Sequence, residues 1–161
     1  MRPHKDRPDR AETVPDHAET VREARSRYFA DNGLSEEGYR ARWVVLRAGP
    51  VPLYLPNSRA RQRAVPLHDL HHVATGYATT WTGEAEIAGW ELAAGCGRYC
   101  AAWGLNLGAF GLGLLIAPRR SMRAFRRGRR GRRTLYRDQT GFDQSLLDLT
   151  VGDLRRRLAL E

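Results

Sequence analysis

Apolar residues at three- and four-residue spacing, capping and breaking residues at helix-length intervals, and no segment of sustained period-two alternation together predict an all-α fold. The expected architecture is a single-domain helical bundle with a metal site between two adjacent helices. Residues 1–15 read as a disordered N-terminal lead-in, charged and proline-bearing without an apolar run, and 16–161 as the helical domain. A chain of 161 residues can bury roughly 70% of its unfolded surface, enough for a core without disulfides or other staples.

The first helix is expected from Asp16 to Ala30, where Val21, Ala24 and Tyr28 share a face and Asn32-Gly33 supplies a stop. Ser35, followed by Glu36 and Glu37, predicts an N-cap for a second helix carrying Tyr39, Trp43 and Leu46 and ending at Gly49-Pro50. Residues 50–64 hold Pro50, Pro52, Pro56 and Asn57-Ser58, which predicts a loop. A third helix should open at Pro66 and close at Gly76, and Thr82 should cap a fourth that runs through Glu84 and Glu91 towards Gly95. Near the end, Thr150 and Asp153 fit a capping box, with Leu149 and Leu154 as its staple.

Tyr99–Ala117 is nineteen residues without a formal charge, about 28 Å as a helix. Asn106 near its middle and glycines at 104, 108, 111 and 113 favour a buried core helix over a membrane span, with the glycines making room for close packing or for a lipid chain. Cys96 and Cys100 stand four apart, a spacing of neither a redox nor a zinc knuckle, and read as reduced core residues of a cytosolic protein.

The formal charge of +9 is one patch, because nine arginines and no acid lie between Arg119 and Arg133 and the remainder of the chain balances. Lys5 is the only lysine, an arginine bias that reads as a GC-rich bacterial genome and weakens arginine abundance as a sign of nucleic acid. Aromatics interleave with the run only as Phe125 and Tyr136, too few for base stacking. An anionic membrane surface is the expected partner, ahead of a solvated face and of nucleic acid. With no secretory signal, the expected location is cytoplasmic, peripheral on the inner face of the cell membrane.

His68-Asp69-Leu70-His71-His72 places three of the five histidines in five positions. On a helix His68 and His72 lie about 40° apart and Asp69 about 60° beyond His72, so two imidazoles and a carboxylate share one face. The i, i+4 histidine pair is the geometry by which metalloprotease helices grip zinc. Glu84 follows His72 by twelve residues across a Gly76–Gly83 turn that can reverse the chain and bring its carboxylate to face them. His68, Asp69, His72 and Glu84 are the expected ligands of one divalent metal ion, zinc or iron(II), with one or two coordination positions open. His71 lies about 60° from His68 on the other side and competes with His72 on geometry alone. A nuclease or phosphohydrolase centre is disfavoured, since no second acidic cluster accompanies the first.

His-Asp-x-x-His followed by eleven residues and Glu, together with Val73-Ala74-Thr75-Gly76, Gly83 before Glu84 and a final Leu154-Arg155 helix, resembles the coenzyme Q biosynthesis protein 4 family from about Arg59 onwards. The resemblance implies an all-α, membrane-associated, commonly homodimeric protein of a quinone biosynthetic complex that binds a metal and an isoprenoid lipid. It implies oxidative decarboxylation at C1 of a prenylated aromatic ring acid, with the metal role falling on His68, Asp69, His72 and Glu84. The same four residues, Glu84, His68, Asp69 and His72, are the expected catalytic group, and the position of Glu84 on a separate helix predicts that activity depends on it more than metal binding does. A non-catalytic scaffold holding the same quinone precursor, and a paralogue in a polyketide pathway, remain open beside it. The chain is shorter than typical family members and its arginine run denser.

Overall fold

The computed structural model describes residues 16–48 and 51–161, so the expected lead-in of residues 1–15 lies outside the described residues. Helix α1 (Val21–Asn32) begins at a capping box between Thr20 and Glu23 and stops at Gly33 in the left-handed conformation. The Val21 amide donates to Leu149 and the Val151 amide to Glu19, joining the start of α1 to the start of the last helix.

The expected second helix is absent. One 3-10 turn (Glu36–Tyr39) is followed by antiparallel strands β1 (Trp43–Ala48) and β2 (Val51–Pro56), with Trp43 opposite Pro56 and Ala48 opposite Val51. Val44, Val45, Leu46, Leu53, Tyr54 and Leu55 are β-branched, aromatic or aliphatic residues that suit extended backbone. A two-stranded ribbon leaves one side of each strand without a neighbour, where a proline forfeits no ladder bond, so the prolines that predict a loop are compatible with a strand. The remainder is helical, and the domain is all-α with this hairpin appended.

Helix α2 (Arg59–Thr75) starts seven residues before the expected Pro66, because Ser58 caps it by accepting from the Arg61 amide. Arg59–Ala64 is rich in helix formers, and the buried Pro66 sits inside the helix. The cost of an interior proline, about 3 kcal/mol, is borne by the packing of Leu67, Leu70 and Ala74, all fully buried. Gly76 ends α2 as expected.

Helix α3 (Trp81–Ala94) is capped by Thr80, which accepts from the Gly83 amide; Thr82, the expected cap, lies in its first turn. Helix α4 (Cys100–Ile116) runs antiparallel to α3, with Gly113 against Ala85, Phe110 against Gly89 and Asn106 bonded to Glu91. Helix α5 (Pro118–Gly131) turns back along α3, tied to it by an Arg120–Glu86 ion pair at 2.9 Å. Short helix α6 (Leu135–Asp138), a 3-10 turn (Gln144–Asp148) and α7 (Val151–Arg157), with the expected Thr150–Asp153 cap, close the core through Leu135, Leu146, Leu154 and Leu158.

The expectation that Tyr99–Ala117 is a buried core helix is overturned. Only Ala102, Asn106 and Gly113 of α4 are buried, while Leu107 is 61% and Leu115 82% exposed. A Cβ at Gly104, Gly108 or Gly111 would touch nothing, so these glycines serve no close packing here. No helix among the described residues is long and apolar enough to cross a membrane. Both cysteines are free, but only Cys96 is a core residue; Cys100 is exposed at the start of α4.

Candidate metal centre

Helix α2 presents His68 and His72 one turn apart, and the cap at Thr80 sets Glu84 in the first turn of α3 directly opposite. The capping turn must approach closely, since a Cβ at Gly83 would lie 2.0 Å from the Ala78 carbonyl oxygen. One ligand atom each from His68, His72 and Glu84 falls within 4.8 Å of the others, forming a group between α2 and α3 that could hold a metal ion. His68 Nε2 lies 3.2 Å from His72 Nε2, and the Glu84 carboxylate oxygens lie 3.5 Å from His68 Nε2 and 3.4 Å from His72 Nε2.

The hydrogen bonds on the far side of each ring decide what those Nε2 atoms carry. A carbonyl can only accept, so His72 Nδ1–H donates to the Tyr77 carbonyl at 2.8 Å and leaves Nε2 with a lone pair. His68 Nδ1–H donates to Glu91 at 2.9 Å, with the same result. Two lone pairs then point at each other and at a carboxylate, an arrangement that repels until a cation or proton enters. Donors about 2.0–2.1 Å from a tetrahedral ion are about 3.3 Å apart, close to the 3.2 Å between the two Nε2 atoms, while the two Glu84 distances belong to different oxygens of its carboxylate. His68 is 21% exposed and Glu84 38% exposed, so the centre is open to solvent on one side.

His71, the geometric rival of His72, is no part of the group. It is fully buried between Trp90 and Tyr136, its Nε2 accepts from the Leu135 amide at 2.9 Å, and its Nδ1–H donates to Glu91 at 2.6 Å. Asp69, expected beside the two histidines, is buried and accepts a hydrogen bond from the Tyr39 hydroxyl. Its carboxylate lies outside the three-residue group, although its charge is felt by His68, His72 and Glu84.

The electrostatics follow from this packing. Burial alone would raise the Glu84 carboxyl, but the His72 and His68 imidazoles reverse it and hold it well below the usual carboxylate range. Burial likewise works against a charged His68, yet Glu91 and Glu84 overcome it and hold its proton affinity well above that of a free imidazole. In Asp69 burial prevails, and its carboxyl is raised.

Three residues escaped the sequence reading. Tyr28 stacks on His72 with ring centroids 5.5 Å apart, Tyr39 holds Asp69, and Glu91 bridges His68 and His71. Glu91 had a signal, lying seven residues after Glu84 and so two turns along the same face of α3. The tyrosines come from elements whose docking onto α2 no local pattern announces. Comparison of the chain with protein-family models, with curated proteins and with solved structures found no match.

Proposed function

We propose that this protein is a metal- and isoprenoid-lipid-binding protein of quinone biosynthesis, of the coenzyme Q biosynthesis protein 4 type, acting on a prenylated aromatic ring acid. The observation that carries the metal reading is the commitment of both Nδ1 atoms to hydrogen bonds, which turns the His68 and His72 lone pairs towards Glu84. A divalent ion there, with zinc the first choice for two imidazoles and a carboxylate and iron(II) the second, would supply positive charge to a substrate carboxylate or phenol oxygen. His68, His72 and Glu84 hold it, Tyr28 packs flat on the His72 ring, and the open side admits the substrate's polar head. Asp69, the remaining residue of the motif, supports the centre through its charge and its bond to Tyr39.

An apolar tail has a surface to follow. Ala85, next to Glu84 in the chain, packs against Gly113, so the C-terminal end of α4 with its exposed Leu112, Leu114, Leu115 and Ile116 lies at the same end of α3 as the metal group. Exposed Trp81 stands one turn before Glu84. The arginines of α5 begin just beyond, where they suit an anionic membrane surface from which a prenylated substrate would be drawn.

The test is to load the purified protein with zinc or iron(II) and add a prenylated hydroxybenzoic acid in air, following binding and carbon dioxide release. Wild-type protein is expected to bind the acid only when metal-loaded and to release carbon dioxide. Glu84→Gln is expected to keep weakened metal binding and lose turnover. Binding without turnover in the wild type would replace the enzyme reading with a scaffold; no binding in either metal form would overturn the proposal.

A further inference from the structure

Glu91 is a carboxylate with no exposed surface that gathers donors from several elements: the Nδ1–H groups of His68 and His71 on one oxygen, at 2.9 and 2.6 Å, the Asn106 amide on the other, at 2.5 Å, and the Tyr136 hydroxyl. The Leu135 amide, by donating to His71 Nε2, requires the His71 proton to sit on Nδ1. Two ring N–H groups and an amide N–H therefore converge on a group that only accepts. That pattern suits an ionised carboxylate and excludes its amide, which would turn a second N–H against one of the donors.

A buried charge of this kind is costly unless balanced, and its neighbours His71 and Asn106 are neutral donors. The balance lies one imidazole away. With His68 and His72 neutral, Glu84 and Glu91 place two negative charges beside the three-residue group, to which Asp69 outside it adds, and a divalent cation between His68, His72 and Glu84 would offset them. We infer that Glu91, held in place by Asn106 of α4, is the positioning residue of the metal centre: it fixes the His68 proton on Nδ1, aims Nε2 at the ion and supplies the second negative charge. The inference rests on the metal reading above. It adds a residue that touches no ligand position and assigns α4 a part in the centre, since Asn106 is the one buried polar side chain among the described residues of that helix.

The test is a zinc titration against a competing chromophoric chelator, run beside thermal melts of the metal-free protein, for wild type, Glu91→Gln and Asn106→Leu. Glu91→Gln is expected to lose about 10- to 100-fold in zinc affinity, the range for removing such an outer partner of a ligating histidine. Asn106→Leu, which leaves the carboxylate in place but frees one oxygen, is expected to lose less. Long-range nitrogen–proton spectra of the zinc-loaded histidine rings should show His68 with its proton on Nδ1 and the metal on Nε2 in the wild type, and mixed attachment in Glu91→Gln. A purely structural role would lower the melting temperature of the metal-free variants while leaving zinc affinity and the His68 ring form unchanged, and that result would overturn the inference. Should Glu91→Gln fail to fold, Asn106→Leu decides alone, with unchanged affinity counting against. A wild type that binds no zinc would sink the metal reading itself, whereas a wild type that binds and variants that bind equally would sink only the role of Glu91.

Discussion

Along α2 and α3 the interior is polar: Asp69, His71, His72 and Glu91 are buried together, each hydrogen-bonded to a partner from another element or from the neighbouring turn. Along α4 the polarity is turned about, with its single buried polar residue, Asn106, facing α3 and a row of leucines facing outwards. Burying charge and exposing hydrocarbon both oppose folding, so each region needs something that folding alone does not supply. On the proposed reading it is a cation for the first and an apolar partner for the second, and the two regions meet at Asn106 and Glu91.

The largest effect should come from removing a ligand. His72→Ala is expected to abolish stoichiometric metal, because two remaining donors cannot hold the ion against water, and His68→Ala should do the same. Elemental analysis of protein purified without chelator checks it. Metal retained by His72→Ala but lost from His71→Ala would reverse the roles assigned to the two histidines.

The outer face of α4 and the arginines of α5 should show their effect only against lipid. Arg126, Arg129 and Arg130 are exposed, and each cation near an anionic surface contributes on the order of 1 kcal/mol, an attraction that salt screens. The protein is expected to float with anionic vesicles at low salt and to be released by a high-salt wash. Changing Arg126, Arg127, Arg129 and Arg130 to Gln should abolish flotation while leaving metal content untouched. Retention after the wash until detergent is added would mean that the leucines of α4, rather than the arginines, dominate the attachment.

His71→Ala tests whether the polar interior is structural as well as ligand-aiming. It leaves the Leu135 amide and one Glu91 contact without a partner and opens space between Trp90 and Tyr136, which should cost about 3–5 kcal/mol. Urea unfolding of the metal-free protein measures it. Metal binding by the folded fraction should persist, separating His71 from His72.

How far each region was legible follows from where its partners lie. His68 and His72 could be read because a ligand pair one turn apart is a local pattern, and Glu84 because Gly76 and the following turn dictate a reversal. The helical class was legible for the same reason, through local caps such as Thr150. Glu91 was passed over because its partners sit on α2 and α4, and His71 stayed ambiguous until the Leu135 amide appeared behind it. The hairpin was missed because Trp43 and Leu46 fit a helical stripe as well as a strand. An apolar run such as Tyr99–Ala117 reads alike whether it faces a core or an outside apolar partner, and which of these holds depends on how α4 docks on α3.

The smallest effects set a glycine packed against α3 beside one on the outer face of α4. Gly128 of α5 lies where a Cβ would come within 2.3 Å of the Trp90 carbonyl oxygen, so α5 can approach α3 only without a side chain at that position. Gly128→Ala should therefore destabilise by about 1–3 kcal/mol, the cost of forcing a methyl group into a packed helix contact. Gly108 of α4 has no neighbour within 4 Å of its would-be Cβ, and there the substitution carries only the gain in helix propensity. Gly108→Ala should stabilise by up to about 1 kcal/mol. Chemical unfolding of the two variants beside the wild type gives both signs in one experiment. Destabilisation by Gly108→Ala would mean that the outer face of α4 is covered in solution, by a second copy of the chain or by another segment, and that the contrast between the two regions is smaller than the isolated chain displays.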